Sequence, residues 1–125
     1  MDREGTSESR DRHLLIQAMS IVEMNLLTQQ DSQLDNWMIL TEQLGEAQTR
    51  EHDYARAIQE MEWRNTFVTD IVLGADLAGI KKDYYDAIIH TRTLRTWRQK
   101  VEALYFENSV LLSSVRWISR MARHG

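Results

Sequence analysis

The sequence predicts an all-α protein: an antiparallel coiled-coil helical hairpin, about 34–73 and 76–123, plus an N-terminal amphipathic helix, together a small helical bundle. Three observations predict it. There is no proline among 125 residues, as suits a chain built from helix interiors that proline would break at about 3 kcal/mol each. Glycine is sparse, at five residues. Apolar residues recur every three and four positions over two long stretches, the period of a helix-packing seam.

The elements follow in order. Residues 1–12, "MDREGTSESRDR", are polar and charged and read as a disordered tail, leaving 13–125 as one helical domain. Residues 13–27, "HLLIQAMSIVEMNLL", form an amphipathic helix with a broad apolar face. The polar interval "TQQDSQLDN", 28–36, reads either as a turn capped by Asp31 or Ser32 or as the exposed face of one continuous helix.

From Trp37 the series Trp37, Leu40, Leu44, Ala47, Glu51, Tyr54, Ile58, Met61, Asn65, Val68, Val72 is apolar or aromatic at nine of eleven positions. A second series runs Leu77, Ile80, Tyr84, Ala87, Thr91, Leu94, Arg98, Val101, Tyr105, Asn108, Leu112. Between them "LGADLAG", 73–79, carries two of the five glycines and reads as the turn. Helices joined by a short turn run antiparallel, so facing positions have nearly constant index sums. A fold at 74–75 gives sums of 148–149 and sets Glu51 opposite Arg98, the one acid and the one base in the two seams. A paired charge in a seam costs far less than a lone one, so Glu51 and Arg98 are expected to pin the register.

A single hairpin leaves much apolar surface uncovered. Leu15, Ile16, Met19, Val22, Trp63, Phe67, Trp97 and Phe106 are the candidate interaction residues. They are to be covered by the N-terminal helix or by a second chain, which makes a homo-oligomer the expected partner.

Signatures of catalysis are missing. There is no cysteine, and the four histidines, His13, His52, His90 and His124, form no HExxH or Glu-x-x-His spacing. Asp86 and His90 share a helical face and read as a solvated pair. No phosphate loop, dinucleotide glycine pattern or nucleophile elbow occurs. The expectation is a non-enzymatic protein with no catalytic residue, no metal and no cofactor. No apolar run approaches 18 residues, so no transmembrane segment is expected, and a cytoplasmic or nuclear setting is the default.

Charge is uneven. Residues 1–80 carry 15 acidic and 6 basic groups, and residues 81–125 carry 4 and 9. The chain closes on "SSVRWISRMARHG", in which Arg116, Arg120 and Arg123 lie along one helical stripe. Leu111, Val115 and Ile118 are expected to be packed beneath it. The stripe reads first as a solvated face that suits the partial negative charge of a helix C-terminus. A row of arginines also suits phosphates, so nucleic acid or an acidic partner at this helix is the alternative.

Ile16, Met19, Val22 and Met24 fit the spacing of a leucine-rich nuclear-export signal over 16–24. With its length, its small helical build and the fragment "LGEA", 44–47, the chain resembles the nuclear export proteins of influenza-type viruses. The resemblance covers a few scattered residues, and the arginine-rich ending departs from it. It implies a small nuclear-export or adaptor protein. The residues themselves point to a helical interaction subunit of adaptor, chaperone or viral accessory type, which self-associates or docks into a larger assembly.

Overall fold

Lacking proline, the chain forms two uninterrupted α-helices, α1 (Arg3–Phe67) and α2 (Ile71–His124). This computed structural model describes residues 3–67 and 71–124, with side chains over 7–66 and 71–124. Among the described residues there is no strand, and the two helices pack against each other as an all-α hairpin. α1 ends at Phe67 and α2 begins at Ile71; Val68 and the side chain of Phe67 lie outside the described residues.

The described chain divides into two compact units, each built from both helices. One comprises Met1–Asn36 with Val101–Gly125, the other Trp37–Lys100. In the first, Leu26, Leu112 and Val115 form the core, with Met19 packed on it. In the second, Leu44, Ala47 and Leu94 do so, with Leu40 against them.

The expected seams are the faces that lose solvent. Along α1 the less exposed positions run Trp37, Leu40, Leu44, Ala47, Glu51, Tyr54, Ile58, Met61, Asn65. The same alternation continues toward the N-terminus through Gln33, Gln30, Leu26, Glu23, Met19 and Ile16. Along α2 it runs from Leu73 through Leu77, Leu94 and Leu112 to Val115, Ser119 and Ala122, with Tyr105 an exposed exception; Val72, the last position of the first expected series, lies in α2 and is exposed.

Four features differ from the sequence expectations. First, of the two readings left open for 28–36, the continuous helix holds, so residues 13–27 are early turns of α1 rather than an additional N-terminal helix. The polar interval 28–36 stays helical because α2 meets it with polar groups. Gln30 Nε2 donates to Ser109 Oγ at 2.9 Å, and Asn108 Nδ2 donates to Gln29 Oε1 at 3.2 Å. A buried polar group costs little once its hydrogen bond is made, so no turn is needed to expel these residues to water. Second, residues 3–12 are helical rather than a tail without structure; the side chains described there, from Ser7, are exposed.

Third, the glycine-bearing segment 73–79 is not the turn. Gly74 and Gly79 both lie inside α2, and no described glycine has a positive φ.

The fourth difference, of register, follows from the third. In the first unit Glu23 meets Arg116, Gln29 meets Asn108 and Gln30 meets Ser109. In the second, Leu44 and Ala47 meet Leu94, and Glu62 meets Lys81. The index sums fall between 137 and 143, about one heptad below those expected. Residues 87–91 thus lie opposite Glu51, and residues 40–44 lie opposite Arg98. On these sums Glu51 and Arg98 are offset by roughly 10–15 Å along the helix axes, at 1.5 Å per residue. Both seams repeat every seven residues, so a slip of one heptad preserves every apolar layer and forfeits only this one pair.

Candidate functional site

With the seams used to join the two helices, the remaining faces are what the chain presents to other molecules. In the first unit α1 exposes Leu14, Leu15, Ile21, Val22, Met24 and Leu27. In the same unit α2 exposes Leu104, Phe106, Val110, Leu111, Trp117 and Met121. The second unit exposes Met38, Ile39, Trp63, Tyr85, Ile89 and Trp97.

The candidate interaction residues therefore divide. Leu15, Val22, Trp63, Trp97 and Phe106 are exposed. Ile16 and Met19 are half-buried in the α1 seam, and Phe67 lies outside the described side chains. The export-like set is split in the same way, since Ile16 and Met19 face the seam while Val22 and Met24 face water. Of the residues expected beneath the arginine stripe, Val115 is buried, but Leu111 and Ile118 are exposed. They flank the seam on the side away from Arg116 and Arg123.

Arg116, Arg120 and Arg123 are all exposed. Arg116 Nε donates to Glu23 Oε1 at 3.0 Å, so one end of the row is tied into the hairpin. Arg120 and Arg123 have no ion-pair partner among the described residues.

The second unit holds a shallow groove of about 260 Å³, lined by Arg50 and Tyr54 from α1 and by Asp83, Asp86 and His90 from α2. Asp86 and His90 thus share it with a neighbouring cation and a phenol. Among the described residues no group of three or more His, Asp or Glu side chains is placed to hold a metal ion. No described helix is long and apolar enough to cross a membrane.

Sequence reasoning passed over the back of α2. Phe106, Val110, Ser113, Trp117 and Arg120 are spaced by four, three, four and three residues, and all are exposed. This is the spacing of a second seam, on the side of the helix turned away from Leu112 and Val115. A search for the best apolar series in each helix stops at the first and misses a second one that carries serine and arginine.

No protein family, curated protein or solved structure compared with the chain matches it.

Proposed function

We propose that this protein is a non-enzymatic helical interaction subunit that works by self-association. The observation that carries this reading is the set of large apolar side chains left more than half exposed on the two helices, Trp63, Ile89, Trp97, Phe106 and Trp117 among them. Water penalises such area at about 25 cal/mol per Å², so covering part of it with a second helical surface is strongly favourable.

An adaptor, a chaperone or a viral accessory factor would use such a surface in the same physical way, by docking a helix face onto another helix face. A phosphate-binding row is less well supported, because Glu23 engages Arg116 and leaves two adjacent cations rather than three.

Sedimentation velocity across a micromolar concentration series tests the proposal. A dimer or larger species, dissociating on dilution, is expected. A single monomeric species at every concentration would refute self-association.

A further inference from the structure

We propose that Gln29, Gln30, Asn108 and Ser109 form a polar layer that locks the register of the hairpin, admitting one alignment of α1 and α2 and rejecting the alignment one heptad away. This lock works within one chain and does not depend on self-association.

The need for a lock comes from the repeat. Both seams recur every seven residues, so two alignments a heptad apart bury equivalent apolar layers. The sequence also offers the second alignment a place to fold. A slip of one heptad moves the fold point roughly three to four residues along the chain, toward Leu73 and Gly74. Gly74 and Gly79 lie inside α2, where a Cβ built on either meets nothing within 4 Å. Their lack of a side chain is unused in the observed alignment and would ease a turn in the slipped one.

The polar layer separates the two. Asn108 is 8% exposed, and its Nδ2 donates to Gln29 Oε1 at 3.2 Å. Gln30 Nε2 donates to Ser109 Oγ at 2.9 Å, and that hydroxyl donates onward to the Tyr105 carbonyl at 3.0 Å. Ser109 thus accepts from one helix while donating within the other, and both cross-helix bonds are part-buried. One turn further along the seam stand Leu26 and Leu112 of the apolar core. A slip toward Gly74 would bring Trp37 level with Asn108 and Val115 level with Gln30. Asn36 would take the place of Gln29 with a side chain one methylene shorter. Gln30 and Ser109 would lose each other against apolar groups, and a buried amide without a partner costs more than a made bond returns.

The ion pairs select less strongly. Side chains in Glu62–Lys81 and Glu23–Arg116 are 32–50% exposed, and such pairs contribute little. Apolar residues in the polar layer would hold the helices at least as well, but equally in both alignments. The layer therefore costs stability and confers a single register.

Cysteine pairs in the full chain read the register, since the chain has no cysteine of its own. Leu26→Cys with Leu112→Cys joins two members of one core cluster and reports the observed alignment. Gln33→Cys with Leu112→Cys moves the first thiol two turns, roughly 10 Å, and reports the slipped one. Non-reducing mass spectrometry separates intramolecular from intermolecular disulfides. With the layer intact, only the first pair should close within the chain. With Gln30→Leu and Asn108→Leu added, the second pair should close as well, its yield rising roughly tenfold or more. The thermal midpoint of Gln30→Leu with Asn108→Leu, without the cysteines, should stay level or rise. Asn108→Gln, which keeps an amide in the layer, should hold one register, and so should Glu23→Gln with Glu62→Gln. A double leucine variant that still closes only the first pair would overturn the lock. So would a double leucine variant that loses its fold, or slippage caused by the ion-pair changes alone.

Discussion

Arg116 donates through Nε to Glu23 Oε1 at 3.0 Å, joining α2 to α1 near the ends of the chain. The pair separates the three arginines of the closing stripe by role. Arg116 belongs to the hairpin, Arg120 to the outer row, and Arg123 to the flank beside it.

Arg116→Gln should therefore lower stability more than Arg120→Gln or Arg123→Gln in the monomer. The effect should still be small, under about 1 kcal/mol, because both partners of the pair are substantially solvated and salt screens them. Urea unfolding of the four proteins at low and high salt would show it, with the gap closing at high salt. The triple Gln variant and the wild type should bind RNA and DNA equally weakly. A steep salt dependence in wild type that becomes shallower in the triple variant would instead mark a phosphate-binding row.

The register can be read by cross-linking. Leu44→Cys with Leu94→Cys places two thiols within one core cluster, and this pair should form an intramolecular disulfide on mild oxidation. Glu51→Cys with Arg98→Cys should not, since residue 98 lies opposite 40–44 rather than 51. Non-reducing mass spectrometry of each variant distinguishes the two registers.

Gly74 and Gly79 are helical, and a Cβ built on either meets nothing within 4 Å. Gly74→Ala and Gly79→Ala should each stabilise the protein by about 0.5–1 kcal/mol, by lowering the entropy of the unfolded chain and raising helix propensity. Were this segment a turn needing glycine's conformational freedom, the same changes would destabilise. Thermal melts followed by circular dichroism decide the sign.

Thr91 is 2% exposed and its Oγ1 has no hydrogen-bond partner, unlike Thr93 and Thr96, which bond back to the carbonyls of Ile89 and Arg92. Thr91→Val keeps the shape and removes the stranded hydroxyl. It should raise unfolding free energy by about 1 kcal/mol.

Leu94, also 2% exposed, sits in the same helix at the core of the second unit. Leu94→Ala should cost about 2–5 kcal/mol through lost burial and the cavity left behind. Leu111→Ala, at a site 52% exposed, should cost well under 1 kcal/mol. Urea midpoints for the two variants would rank them.

The sequence by itself determined the face of each helix that leaves water over most of the two seams. A 3.5-residue alternation is a local property of the chain, and the half-buried and buried positions from Trp37 to Asn65 and from Leu77 to Leu112 follow it, Tyr105 excepted. It also determined the all-helical class, because a chain without proline and with long periodic series has no competing local structure. The tertiary structure decided the rest. Whether 28–36 turns depended on what faced it, and there Asn108 donates to Gln29 while Ser109 accepts from Gln30. Where the hairpin folds depended on comparing registers one heptad apart. Those registers bury nearly the same apolar layers, so their difference lies in a few cross-helix contacts such as Glu23–Arg116 and Glu62–Lys81. Such contacts join residues far apart in sequence, and no periodicity within either helix encodes which of them will meet.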